Sequence, residues 1–427
     1  MIVYAIILIL GILLGVFSGL LPGLHPNTIS AILAGSFSGD YLGVFIVALF
    51  GAQIMFAFIP SIFFGIPDSE TVLSVLPGHR LAREGRGIEA LKVCAISAVC
   101  AAILSMLLLP LALFLYPLAY GIVKEGVWIL LLIAIAVFVL QEKGIKGKAS
   151  ALLVAVLSGM LGYLVLNSQV NDSLFPLFCG LFAVSGMLFA MKSRESIAGN
   201  QAEVRRVRFD FWKEVLLGTA LGFFADLLPG ISSPAQMALL GGIFFGGVRY
   251  AGGRMREGQK SADNEAEGKS RVDETEGKNK SDEAEGNDAR KYLALIAAIA
   301  VSQGVFAFAS LEGIGKARVG ALAIAGETTG GSIYWMAGVF AIAIGMAALL
   351  LSLFAGALKR FDFGRVKSVY PAIIAYLALA VFLVCGIEGV AILAVSAIIG
   401  CLPVLFGVSR IHVMGCIIIP TVLLYLF

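Results

Sequence analysis

The chain has 427 residues, of which 59% are hydrophobic and 14% are charged, and its formal net charge is +3. Ordinary soluble domains carry about 45–50% apolar and about 25% charged residues, so this composition excludes a soluble globular protein. The small net charge gives no indication of a nucleic-acid partner. Together these values predict an all-α, multi-pass protein of the cell membrane, with the lipid bilayer as its surroundings.

The first predicted element is the apolar segment Ile2–Leu20, which lacks a basic leader and a signal-peptide cleavage site. We therefore expect it to be a retained span. This segment overlaps the stretch Gly11–Gly23, and eight of those thirteen positions recur 207 residues later at Gly218–Gly230. A second match relates Gln53–Phe58 to Gln303–Phe308 at an offset of 250 residues. The chain therefore contains an internal repeat.

The repeat divides the chain into two transmembrane halves, residues 1–191 and 214–427, joined by a basic cytoplasmic linker at 192–213. The larger offset of the second match comes from a charged insertion in the second half, at about 250–290. This insertion is almost free of apolar residues and cannot bury enough surface to offset the entropy of ordering it. Its composition therefore predicts disorder.

Loop charge predicts that the two halves have inverted topology. Each half shows seven apolar segments, and an odd number of crossings turns the second half over. Lys and Arg concentrate on the cytoplasmic side of membrane proteins, and under inversion only Lys124, Lys316 and Arg318 of the 31 basic residues fall outside. Both termini are then extracytoplasmic. The cytoplasmic segments are Arg80–Lys92, Lys143–Lys148, Lys192–Lys213, Arg249–Lys291, Lys359–Lys367 and the turn at Arg410.

A Leu-Pro-Gly break interrupts the apolar sequence near the start of each half. Non-helical backbone at membrane depth survives only against protein or a wet cavity. The helix that follows each break begins with capping residues, and a helix N-terminus attracts anions. We expect the two N-termini to face each other and bind a small carboxylate. The alternative is that the breaks are a pair of tight turns without a binding role. The segments on either side of each break either cross the whole membrane or are re-entrant. The predicted substrate-binding residues are Gly23, His25, Asn27, Thr28, Gln53, Gly230, Ser232, Ser233 and Gln303.

Polar residues also lie within the apolar segments, and three of them are candidates for the site. Gln53 and Gln303 recur at equivalent positions, which suits either a site lining or hydrogen bonding between helices. Asp226 precedes the second break where the first half has Gly19, and a carboxylate within a span is a functional candidate by default. We expect Asp226 to bind a coupling Na⁺ or to carry H⁺, the alternative being a solvated acid. We expect no other cofactor, no catalytic residue and no metal site, so an enzyme is disfavoured.

Two motifs carry a family resemblance. One is Gly-x-x-x-Gly-Leu-Leu-Pro-Gly-Leu-x-Pro at Gly15–Pro26, and the other is the stretch Pro77–Gly85 with Ala90-Leu91 after it. The pair resembles the TctA family, the large permease subunit of the tripartite tricarboxylate transporters, and the version His25–Thr28 resembles its archaeal branch. The resemblance implies ion-driven symport of di- or tricarboxylates. It also implies a small four-span membrane subunit and an extracytoplasmic binding protein as partners.

One alternative function keeps the inverted-repeat fold but carries an anionic lipid, such as a polyprenyl phosphate, across the bilayer. A lipid carrier or flippase needs a groove open to the membrane and a basic pocket for the headgroup. Basic residues are scarce within the apolar segments, which favours the small carboxylate. A membrane enzyme or scaffold is a third reading, and no catalytic constellation supports it.

Overall fold

The computed structural model describes residues 1–21, 25–64, 75–123, 126–170, 173–192, 200–204, 206–227, 237, 275–317, 319–330, 332–359 and 368–426. Within these residues the regular structure is helical and includes no strand. The helical class predicted from composition is therefore confirmed.

The helices of the first half are α1 Ile2–Leu20, α2 Pro26–Ala34, α3 Asp40–Phe56, α4 Val75–Arg83, α5 Gly87–Val123, α6 Val127–Leu140, α7 Gly144–Leu166, α8 Leu174–Phe178 and α9 Ser185–Lys192. Single π-helical segments extend α3 at Pro60–Phe64 and join α8 to α9 at Cys179–Val184. The helices of the second half are α10 Trp212–Ala225, α11 Thr275–Ile314, α12 Gly320–Thr328, α13 Ile333–Leu358, α14 Tyr370–Phe406 and α15 Gly415–Leu426. A 3₁₀ turn, Arg410–Met414, precedes α15.

Seven of the described helices are long and apolar enough to cross a membrane, which agrees with the predicted multi-pass protein. They are Ile2–Leu20, Asp40–Phe64, Gly87–Gly121, Gly144–Leu166, Gly286–Ile314, Ile333–Leu358 and Tyr370–Phe406. The helix α2, which follows the first break, has only nine residues. At 1.5 Å per residue it extends about 14 Å, roughly half the thickness of the hydrocarbon core. It is therefore too short to span alone.

The helices form two packing groups, and each half contributes to both. The central group consists of α1–α5 and α10–α13, and the flanking group consists of α6–α9, α14 and α15. Packing between the groups is sparse among the described residues. One hydrogen bond that joins the two groups is donated by the Tyr370 hydroxyl, in α14, to the Phe64 carbonyl, after α3, at 2.7 Å. The sequence of each half thus passes through the central group first and the flanking group second.

The helix α14 bends sharply at Gly386, whose φ of 67° and ψ of −164° lie outside the helical region. Glycine adopts this conformation readily because it has no Cβ. A Cβ on Gly389, just beyond the bend, would lie 3.2 Å from the side chain of Val381. The two parts of α14 therefore approach each other closely at the bend.

The helix α11 begins at Thr275, inside the segment whose composition predicts disorder. Residues 249–274 of that segment lie outside the described residues. Adding turns to an existing helix costs little compared with starting one, and Glu, Lys and Ala are good helix formers. The buried part of α11 therefore extends as a helix into polar sequence, which composition alone did not predict.

Candidate functional site

In each half of the central group, an initial helix packs on a long buried helix through glycines. A Cβ on Gly11 would lie 2.6 Å from the carbonyl oxygen of Phe45, and a Cβ on Gly218 would lie 2.8 Å from that of Leu295. These pairs are related by the offsets of 207 and 250 residues found in the sequence. The contact between α1 and α3 is therefore matched, position for position, by the contact between α10 and α11.

Residues after the first break hold together two short helices from different halves. The Asn27 side-chain oxygen accepts a hydrogen bond from the backbone N–H of Ala321, at 2.8 Å, and so caps α12. The His25 ring nitrogen Nδ1 accepts from the backbone N–H of Asn27 at 3.2 Å. Gly23 and the side chain of Thr28 lie outside the described residues. The structure therefore brings His25 and Asn27 together as caps of neighbouring helix N-termini.

The first half also holds the other end of α12. The backbone N–H of Gly330 donates to the Asp40 carboxylate at 3.2 Å, at the start of α3. A Cβ on Gly43, one turn further along, would lie 2.5 Å from the Thr329 hydroxyl oxygen. Helix α12 of the second half is thus bracketed by the starts of α2 and α3.

The sequence predicted that the helix after the first break faces the helix after the second. Among the described helices, α2 packs on α3 and on α12. The second break, with Gly230, Ser232 and Ser233, lies outside the described residues. The predicted meeting of the two breaks, and the choice between binding site and tight turn, stay predictions.

The two glutamines lie in the two most enclosed of the long apolar helices that the structure describes. Gln53 in α3 is 2% exposed, and Gln303 in α11 is 3% exposed. Phe340 of α13 packs between these helices, with its ring centroid 5.9 Å from that of Phe50 and 6.3 Å from that of Phe308. An apolar ring therefore lies between the helices that carry the glutamines.

Asp226 follows the last residue of α10 and is completely buried. One turn earlier, the carbonyl of Phe223 accepts a hydrogen bond of 2.6 Å from the Tyr116 hydroxyl. The Asp226 carboxylate lies close enough to the Tyr116 phenol for an electrostatic interaction. The carboxylate is thus buried, and its predicted role as a coupling group, like the alternative of a solvated acid, stays a prediction.

A family model described as the tripartite tricarboxylate transporter TctA family matches residues 5–243, more than half of the chain. The chain belongs to the TctA family. The resemblance carried by Gly15–Pro26 and Pro77–Gly85 is therefore confirmed. TctA proteins are components of transporters rather than enzymes, and the match gives the lipid-carrier alternative no support.

A curated relative of this TctA protein is an uncharacterized protein of the archaeon Methanocaldococcus jannaschii, which is 28% identical over 209 residues. The alignment covers 48% of this chain and 52% of the relative, so the match spans about half the length of each protein. No solved structure matches the chain. In the part of the chain that the structure describes, no three His, Cys, Asp or Glu side chains are placed to share a metal ion.

The second TctA motif contacts the linker between the halves, at residues 200–204 and 206–211, which we call the strap. The Gln201 side-chain oxygen accepts from the backbone N–H of Gly87 at 2.8 Å, and its side-chain nitrogen donates to the carbonyl of Ala82 at 2.9 Å. One amide therefore joins the end of α4 to the start of α5. Sequence reasoning assigned no role to this glutamine, and its only signal is a neutral amide in a basic linker.

The strap also binds the second half through charge. Arg290 of α11 lies 3.0 Å from the Glu89 carboxylate of α5 and 3.3 Å from the Asp210 carboxylate of the strap. Lys359, after α13, lies 2.9 Å from Glu203. Four segments predicted from loop charge to be cytoplasmic thus meet at one end of the central group.

The flanking group contains matched glycine contacts that sequence reasoning missed. A Cβ on Gly162 in α7 would clash with the carbonyl of Cys416 in α15, and a Cβ on Gly400 in α14 would clash with the carbonyl of Leu181. Each of these glycines lies four residues after a buried serine, Ser158 or Ser396. This repeated Ser-x-x-x-Gly spacing is the signal that could have revealed the contacts.

A buried pair of polar side chains joins the two halves within the flanking group. Glu142, before α7, lies 3.2 Å from the ring nitrogen Nε2 of His412, and both side chains are less than a tenth exposed. The same carboxylate oxygen accepts from the backbone N–H of Ser409 at 2.8 Å. His412 is therefore an anchor of the 3₁₀ turn.

Proposed function

We propose that this protein is the transporting subunit of a secondary active carrier for small organic anions of the di- and tricarboxylate class. The TctA family match over residues 5–243 carries the proposal. The burial of α3 and α11 supports it, because a carrier encloses its substrate path in protein rather than lipid. Of the residues in their most apolar stretches, 94% and 100%, respectively, are buried.

The two halves have inverted topology in this proposal, with both termini outside the cell. Inverted repeats place the substrate near the bilayer midplane, where the halves meet. Matched glycine contacts in both packing groups support a repeat that runs through the whole chain. The meeting of four basic segments at the strap end supports the cytoplasmic side assigned from loop charge.

The substrate binds at the breaks of the central group. The backbone N–H groups and small polar side chains near a helix start suit a carboxylate. Asn27 belongs to this region, although its side-chain oxygen already bonds α12. The proposed binding residues are Gly23, His25, Thr28, Gln53, Gly230, Ser232, Ser233 and Gln303, and Asn27 lies beside them as the cap of α12.

Asp226 couples transport to an ion gradient, as the binding group for Na⁺ or H⁺. A buried carboxylate is costly in its charged form, so it gains most from a cation or a proton. Its burial beside Tyr116 and the position directly before the second break support this role. A small membrane subunit and an extracytoplasmic binding protein act as partners.

Uptake of radiolabelled citrate and succinate into proteoliposomes tests the proposal, under an imposed Na⁺ gradient, a pH gradient or neither. We expect one gradient to drive accumulation. Asp226→Asn should remove the effect of the gradient while citrate still binds, and Asp226→Glu should retain part of it. If neither citrate nor succinate binds to the protein or enters the proteoliposomes when partner subunits are supplied, the proposal is wrong.

A further inference from the structure

The Asn27 side chain links two helices of equal length whose N-termini are adjacent. Helices α2 and α12 each have nine residues, and they belong to different halves of the chain. The hydrogen bond from the backbone N–H of Ala321 to the Asn27 side chain places their N-termini side by side. A Cβ on Gly320 would lie 3.1 Å from the Asn27 Cγ, so the Asn27 side chain packs closely against the start of α12.

The bond also fixes which way α12 points. The bond from Gly330 to Asp40 holds the far end of α12 beside the start of α3. With one end at α2 and the other at α3, α12 runs alongside α2 in the same direction. Both helix dipoles then direct their positive ends to one place, next to the first break.

We propose that Asn27 is a positioning residue, which sets the place of α12 against the first break without itself binding the substrate. This inference rests on the proposed function and refines it, because the substrate site of one half then depends on a helix of the other half. The side-chain oxygen acts as a helix cap, for which Asn, Asp and Ser are the preferred residues. Its loss leaves α12 free to shift relative to the break.

Substitution by Asp separates this role from direct binding. A carboxylate at position 27 can still accept from Ala321, and its charge is favourable at two helix N-termini. The same charge would repel an anionic substrate in direct contact. A positioning role therefore predicts that Asn27→Asp behaves like the natural protein, whereas a binding role predicts that it is worse than Asn27→Ala.

Citrate uptake into proteoliposomes gives the first readout. We expect Asn27→Ala to raise the KM for citrate roughly 3- to 10-fold, the range that corresponds to one hydrogen bond, with a smaller change in maximal rate. Asn27→Asp should stay within about 2-fold of the natural protein. Asn167→Ala is the matched control, because Asn167 makes a local hydrogen bond on an exposed part of the flanking group. A larger KM for Asn27→Asp than for Asn27→Ala would overturn the proposal.

Hydrogen–deuterium exchange provides a readout that does not depend on transport. The full-length protein in detergent should show faster exchange at residues 319–323 in Asn27→Ala and unchanged exchange there in Asn27→Asp. Unchanged exchange in Asn27→Ala would overturn the positioning role, even if citrate were not the substrate. If Asn27→Ala does not fold, Asp40→Ala, which loosens the other end of α12, should speed exchange at residues 327–330, and normal exchange there would contradict the bracketing of α12.

Discussion

The helices of the central and flanking groups both pack through glycine contacts, but the two groups differ in the side chains that they enclose. In both, glycines let a helix of one segment approach the backbone of another, and the contacts recur at matched positions. The central group buries Gln53, Gln303 and Asp226 within helices that protein surrounds. In the flanking group only 17% of the most apolar stretch of α14 is buried, against 100% in α11.

This difference in burial distinguishes the central group, which has polar side chains in its interior, from the flanking group, whose helices face lipid. An apolar helix face in lipid needs no partner, so exposed side chains such as Leu383 and Ile398 cost nothing there. A buried polar side chain is retained in the central group only if it is paired or functional. The central group is therefore the candidate region for the substrate path, and the flanking group is its lipid-facing neighbour.

The largest expected effect tests the charged anchor of the central group. Arg290→Ala removes the closer partner of Asp210, which keeps Arg208 at 3.9 Å, while Arg86 still pairs with Glu89 at 2.8 Å. Removing one member of a buried ion pair lowers the free energy of unfolding by about 3–5 kcal/mol. Because both acids keep another partner, we expect the lower end of this range. Thermal denaturation in detergent measures it. The control Lys359→Ala breaks an exposed pair and should cost less than about 1 kcal/mol.

A substitution in the flanking group tests whether the groups are independent. Gly162→Leu forces a side chain against the Cys416 carbonyl, and overpacking of this kind costs about 1–3 kcal/mol. We expect faster hydrogen exchange in α15 and unchanged exchange in α3 and α11, because packing between the groups is sparse. Gly338→Leu is the control, since a Cβ there meets nothing within 4 Å. Equal loss of protection in both groups would remove the distinction between them.

The smallest expected effect concerns the contact between Glu142 and His412 in the flanking group. Glu142→Ala leaves His412 and the backbone N–H of Ser409 without this acceptor. Loss of a buried hydrogen-bonding partner costs about 1–3 kcal/mol, and we expect the lower end because the neighbouring residues Gln141 and Lys143 are exposed. The melting temperature should therefore fall slightly, while citrate KM stays unchanged. A raised KM would show that this pair reaches the substrate site. Glu388→Ala, an exposed acid in the same group, is the control.

Features that depend on short-range pattern were predictable from the sequence. The spans follow from apolar length, and the matched contacts of Gly11 and Gly218 follow from a repeat with strong identity. A close approach of backbones demands glycine at fixed positions, so the contact leaves a visible trace. The helical start of α11 in polar sequence was not predictable, because it depends on extension from a buried helix.

Contacts between distant residues were not predictable. Asn27 caps a helix 294 residues away, and neither end of that bond has a periodic signal. Arg290 finds partners on α5 and on the strap, so its role depends on how separate segments meet. The flanking group repeats its contacts through few identical residues, which hides the repeat from simple comparison. The parts of the site that depend on contacts between distant residues therefore could not be predicted from sequence patterns.

Hydrogen–deuterium exchange of the natural protein with and without citrate tests most directly whether the central group carries the substrate. Bound substrate should slow exchange where local opening is coupled to binding. We expect added protection at residues 25–34, 220–227 and 319–328, and none in α7 or α15. Protection confined to the flanking group, with no change near the first break, would contradict the account.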